Sequence, residues 1–202
     1  METPISQKDK DRIESGIRGK YTKVAKSPEG LFKYPTGRAG LEGLNYDPEL
    51  IRALPDQVAA SYCGVGNPFS LGPVHEGEAV LDIGCGAGVD TILAAMMAGP
   101  SGKAVGVDIV VEMLRRAEEN LKMTGIKNVT FKKVSGEQLP FEDESFDVLI
   151  SNGVINLIPD KGATLKEAVR LLKPDGRLMI ADQIAAGRLQ KDLKARLDSW
   201  FQ

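Results

Sequence analysis

The residues best placed to do chemistry lie in DIGCGAGVD, 82–90. Gly84, Gly86 and Gly88 alternate with Cys85, Ala87 and Val89, after the apolar run AVLDI and before the amphipathic run TILAAMMAG. A glycine-rich turn from strand to helix brings backbone amides close to a ligand, because no Cβ stands in the way. Two phosphate-binding readings fail on spacing. A dinucleotide fingerprint needs G-x-G-x-x-G/A, and Val89 stands where its third glycine belongs. A P-loop needs Gly-Lys-Ser/Thr, which does not follow. Asp82, just before the loop, repels a pyrophosphate but orients a cationic amino group. Further on, Asp108 ends a second apolar run, where a carboxylate accepts both hydroxyls of a ribose.

Those residues need a strand before the loop, a helix after it and a second strand ending at Asp108. The flanking sequence supplies all three. AVLDI (79–83) is a short buried-strand candidate, Val89 to Ala98 reads as a helix, and KAVGVD (103–108) is strand-like. VEMLRRAEENLKMTG carries Val111, Met113, Leu114, Ala117, Leu121 and Met123 near helical spacing and ends at Gly125. NVTFKKV, FDVLIS and GRLMIAD read as three more strands, and KGATLKEAVRLLKPDG as a helix closed by Pro174 and Gly176. This alternation predicts an α/β fold, a Rossmann-like doubly wound parallel sheet of about five strands. Right-handed crossovers then place the ligand crevice at the carboxyl ends of the strands, where strand order reverses.

Residues 1–73 differ in pattern and read as a helical and loop extension, a lid over the substrate side. It holds a helix near Lys8 to Arg18, a Gly/Pro-punctuated stretch, and a helix that Pro48 opens behind an Asp47 cap and that runs to about Ala60. Residues 74–202 form the ligand-binding domain.

A ligand with a ribose, a cation and no phosphate is S-adenosyl-L-methionine. VLDIGCGAG, GVD, LPFEDESFDVLIS and LLKPDGRLMIAD, in that order, resemble class I S-adenosylmethionine-dependent methyltransferases over roughly residues 78–182. The resemblance implies that Asp82, Gly84, Gly86 and Gly88, with Cys85 inside the loop, line the methionine and ribose part. Asp108 takes the ribose hydroxyls, and Ile109 and Met113 flank the adenine. Ser135, Gly136 and Glu137 occupy the adenine-edge segment, with a backbone contact at Gly136. Asn152 faces the methionine end and the substrate.

KYTKVAKSPEGLFKYPTGRAGLEGLNYDPEL, SYCGVGNPFSLGPV and SNGVINLIPDK resemble, more narrowly, the arsenite methyltransferases and their close bacterial homologues. In that family three cysteines bind trivalent arsenic, a soft, thiophilic centre. Cys63 matches the first, Gly153 stands at the second, and the third has no counterpart. The candidate substrate residues are therefore Cys63, Gly153 and Asn156. Cys63 serves equally as a small buried residue, and Asn156 as a turn former. Besides arsenite, two alternatives stay open: another small metabolite as acceptor, or a cofactor-binding remnant without turnover. No catalytic acid or base is assigned, because a lone-pair or thiolate acceptor needs none. Tyr21 and Tyr62 serve either to close over the cofactor or as core or surface packing, and His75 reads as a turn residue.

The bulk properties fit a small-molecule enzyme. With a net charge of -2, 42% apolar and 27% charged residues, and no basic cluster interleaved with aromatics, a nucleic-acid partner is not expected. The polar start METPISQKDKDRIES is no signal peptide, and no apolar run is long enough to span a bilayer. A cytoplasmic chain without membrane partner is expected. Two cysteines and one histidine give neither a disulfide framework nor a zinc spacing, so no metal is expected. After the fifth strand the chain reads as short, with one helix through QKDLKARLDSW. That strand would be an open edge; either the chain is truncated or another subunit caps the edge, and a second copy there would make a homodimer.

Overall fold

The computed structural model describes residues 6–135 and 139–184. In chain order the helices are α1 Gln7–Val24, α2 Gly37–Gly43, α3 Pro48–Ala53, α4 Asp56–Ala59, α5 Val89–Ala98, α6 Val111–Thr124 and α7 Lys161–Leu171. The strands are β1 Ala79–Ile83, β2 Lys103–Asp108, β3 Val129–Lys133, β4 Phe146–Asn152 and β5 Leu172–Ala181. They form one sheet in the order β3-β2-β1-β4-β5, with every neighbouring pair parallel. This is the doubly wound fold expected from the alternating pattern. Strand order reverses at β1, between β2 and β4, so the glycine loop leaves the sheet at the crevice.

Strand alternation sorts the core into two layers. Val80, Ala104, Val148 and Ile150 pack with Ala94, Ala95 and Ala98 of α5 on one face. Leu81, Ile83, Val105, Val107 and Leu149 pack with Ala168 and Leu171 of α7 on the other. The outer side of α5 is covered as well. Leu41, Tyr46, Ile51, Leu54, Val58 and Tyr62 from the N-terminal segment form one core with its Val89, Ile92 and Leu93. A helix apolar on all sides is buried on all sides, and Val89 through Ala95 are all buried.

Three boundaries depart from expectation for local reasons. The helix opened by Pro48 stops at Ala53, because Pro55 drives the preceding Leu54 into extended backbone at ψ 132°, and α4 restarts after it. The Asp47 side chain does cap it, accepting from the Glu49 amide at 2.7 Å. α7 ends at Leu171, three residues short of Pro174, and Leu172 already pairs with Phe146. Strand pairing then skips to Val148 with Arg177, across a bulge holding Asp175 at φ 64°. α1 runs to Val24 rather than Arg18. The helix expected in QKDLKARLDSW lies outside the described residues.

Gly88 shows how tightly the sheet grips the loop. It caps α5 at φ 79°, and a Cβ there would stand 2.7 Å from Phe131 Cζ and 2.9 Å from Ala117 Cβ. Close helix–strand packing, the duty of a third fingerprint glycine, is met here one position before Val89. Gly88→Ala is expected to lower unfolding stability by about 2–4 kcal/mol, through overpacking and left-handed strain together. Urea unfolding would measure it, and a loss below about 1 kcal/mol would show that Phe131 simply yields.

Candidate functional site

Backbone hydrogen bonds hold the start of the loop. The amides of Gly84 and Cys85 both donate to the Val107 carbonyl, at 2.8 and 2.9 Å. Gly84 and Gly86 take positive φ, 75° and 52°. A Cβ at Gly84 would lie 2.4 Å from both methyls of Val154, and one at Gly86 3.0 Å from Met113 Cε. From α6, the fully buried Asn120 donates to the Ala87 carbonyl at 2.9 Å.

Asp108, at the end of β2, faces this loop. One carboxylate oxygen accepts from the Gly86 amide at 2.9 Å and the other from the Val110 amide at 2.8 Å. Each oxygen keeps a lone pair, which is what two vicinal hydroxyls need. Burial nevertheless pushes its carboxyl above the usual range.

Above the loop opens a cleft of about 1130 Å³, its mouth included. Asp82, Gly84, Cys85, Gly86, Asp108, Ile109, Met113 and Asn152 all line it, and Cys63 and Gly153 join them. Gly88 does not; it is turned to packing beneath. Asn156 also stays out of the lining. Its amide donates to Asp182 at 2.9 Å, and its buried Oδ1 has no partner. Gly136 and Glu137 lie outside the described residues. Cys85 sits under the loop, against Gly106, and burial holds its thiol protonated.

Four acids, Glu14, Asp82, Asp90 and Asp108, line the cleft, and no Lys, Arg or His does among the described residues. Such a site repels phosphate and favours a cation. Asp82 is 2% exposed and accepts from Thr91 Oγ1 at 2.6 Å; burial, reinforced by nearby Asp90, raises its pKa well above normal. Burial likewise pushes the Cys63 thiol up to about 12, so it is not a thiolate at neutral pH. Among the described residues no group of three His, Cys, Asp or Glu is placed to hold a metal, and no helix is long and apolar enough to cross a membrane.

The sequence reading missed Asp90. It stands in the first turn of α5, accepting from Tyr46 Oη at 2.8 Å and from Asn152 Nδ2 at 2.9 Å. Its signal was a lone acid opening an otherwise apolar helix. The Asn152 amide is committed to this network too, since Oδ1 accepts from Val65 and Gly66 amides at 2.9 and 3.1 Å. Tyr62, expected as a cover, is 2% exposed and joins the network through Gly66 O and Tyr46 Oη.

Burial pushes Asp90 up to about 6 despite those two hydrogen bonds. Its unfolded value is about 3.9. A folded value above the unfolded one makes the group's contribution greatest below about pH 4 and lost as pH rises through 6, a cost on the order of 3 kcal/mol at neutrality. The melting temperature of Asp90→Asn relative to the parent chain should therefore climb between pH 4 and pH 7. A flat difference would mean that Asp90 titrates normally.

A family model described as a methyltransferase domain matches residues 74–202. An arsenite methyltransferase of Halobacterium salinarum is 33% identical over 212 residues, covering 98% of this chain and 54% of that protein. A quinone-biosynthesis C-methyltransferase of Pasteurella multocida is 40% identical over 111 residues, covering 54% of this chain and 41% of that one. Among solved structures, an arsenic(III) S-adenosylmethionine methyltransferase from Chlamydomonas reinhardtii is 34% identical with a TM-score of 0.56, covering 74% of this chain and 50% of that one. The chain spans about half the length of the curated relatives it matches. With a cleft of this chemistry and a family match over most of its length, the chain belongs to the class I S-adenosyl-L-methionine-dependent methyltransferases and is related to the arsenite methyltransferases.

Proposed function

We propose that the chain binds S-adenosyl-L-methionine in this cleft and transfers its methyl group to a small acceptor. The observation that carries this reading is Asp108, fixed by two amides and facing a cleft lined, among the described residues, with acids and no Lys, Arg or His. The residues suit the group. Asp108 would take the ribose hydroxyls, with Ile109 and Met113 on the adenine side. Gly84 and Gly86 leave room that a Cβ would fill, and Asp82 and Asp90 favour a positive charge above them. When bound, the group supplies an electrophilic methyl on a sulfonium centre.

The chain's own contribution is alignment and exclusion of water. Tyr21 and Ile17 of α1 wall the cleft on one side, and Val154, Leu157 and Ile158 beyond β4 wall it on another. Charge is dispersed during such a displacement, so a dry, oriented site accelerates it. Orientation alone is worth up to about 7–11 kcal/mol in favourable intramolecular models. No lining residue has to move a proton when the acceptor brings a lone pair.

Arsenite is the acceptor in the names of several relatives, and Cys63 on the cleft wall supports it here. A carbon acceptor of the quinone-biosynthesis kind is a second reading. It is favoured by Gly153, which leaves Cys63 as one protonated thiol without the second.

Asp108→Ala is expected to weaken S-adenosylmethionine binding at least tenfold, about 1.4 kcal/mol, in calorimetry on the folded variant. A parent chain that took up a nicotinamide dinucleotide and not the sulfonium nucleoside would reject the reading. Incubation with a labelled methyl donor, arsenite and an external thiol should give methylated arsenic, and Cys63→Ser should lower its yield at least tenfold. Label passing instead to an organic acceptor from a metabolite extract would favour the second reading.

A further inference from the structure

Asp90 is a costly residue to keep. It is 8% exposed at the start of α5, where an apolar or amide side chain would be cheaper to bury. Its surroundings show what it holds. Tyr46, which follows α2, and Asn152, the last residue of β4, donate to its two carboxylate oxygens, one each. Asn152 passes the constraint on, accepting from the amides of Val65 and Gly66 and donating to the Gly66 carbonyl at 2.8 Å. Tyr62 donates to the same carbonyl at 2.8 Å, and its ring meets that of Tyr46 edge-on at 5.4 Å. At Gly64 and Gly66 the loop has no room for side chains that might fix it otherwise. A Cβ at Gly64 would stand 2.3 Å from Asn152 Nδ2, and one at Gly66 2.7 Å from Ala181 Cβ.

We propose that Asp90 is a positioning residue: its carboxylate sets Tyr46 and Asn152, and through Asn152 it fixes the Cys63–Gly66 loop as a preformed wall of the cleft. Asn152 then acts on the cofactor chiefly through where it places this loop, since its amide is spent within the protein. Cys63 rides on the same loop, so the position of that thiol against the acceptor depends on Asp90 as well. Preorganisation of this kind raises affinity by removing the cost of ordering a loop on binding.

The test has one readout that needs no cofactor and one that rests on the cofactor reading. Amide hydrogen exchange at Val65 and Gly66 is followed in the ligand-free chain, with Leu81 of β1 as the control for an intact fold. S-adenosylhomocysteine binding is measured by calorimetry on the same samples. Asp90→Ala should lower protection at Val65 and Gly66 about tenfold and S-adenosylhomocysteine affinity about tenfold, with Leu81 unchanged. Asp90→Asn keeps the shape and can still bridge Tyr46 and Asn152, so it should restore both to within about threefold of the parent chain. Tyr46→Phe removes only a hydroxyl and should loosen the same two amides, which keeps the test alive if Asp90→Ala does not fold. Unchanged exchange at Val65 and Gly66 in a folded variant would overturn the proposal, and so would an Asn variant as impaired as the Ala one. A parent chain that fails to bind S-adenosylhomocysteine would instead count against the cofactor reading, and the exchange data would still decide the role of Asp90.

Discussion

One carbonyl, that of Val107, anchors the site. It accepts the amides of both Gly84 and Cys85, and so ties the turn leaving β1 to the end of β2. The tie puts the Gly86 amide within reach of Asp108 one residue further along β2. Only a parallel pair with both carboxyl ends on one edge can bring a loop and an acid together this way. The sheet order supplies the rest, because β4 on the other side of β1 delivers Asn152 and Val154 to the same edge.

The glycines of the loop have separate jobs within that frame. Gly84 makes room for Val154, Gly86 turns its amide to Asp108 beside Met113, and Gly88 lets α5 press against Phe131 and Ala117. Side chains are excluded from above at the first two and from below at the third. The chemistry of the cleft follows from what surrounds those bare peptides. Acids lie beneath and beside them, and apolar residues form the walls.

The sheet and its crevice were legible because they rest on local pattern. Short apolar runs, helical spacing and a Gly125 stop each need only neighbouring residues to be read. Asp108 was legible because a strand-end acid at that distance from a glycine loop has a known geometry. The polar network was not legible. Tyr46, Tyr62, Asp90 and Asn152 come from four separate places in the chain, and no period or spacing links them. The break at Pro55 was present in the sequence and yields to a simple steric rule. The early end of α7 was harder, since it depends on Leu172 finding Phe146 across the sheet.

The enclosure of α5 carries a consequence for how the polypeptide acquires its shape. Residues 41–62 bury their apolar side chains against a helix that begins at Val89, and the sheet beneath that helix is completed by β5, about eighty residues later still. During vectorial synthesis the amino-terminal segment emerges before the surface it wraps exists. It must wait on the ribosome with its greasy side bare. A chain built in this order depends on late, long-range closure.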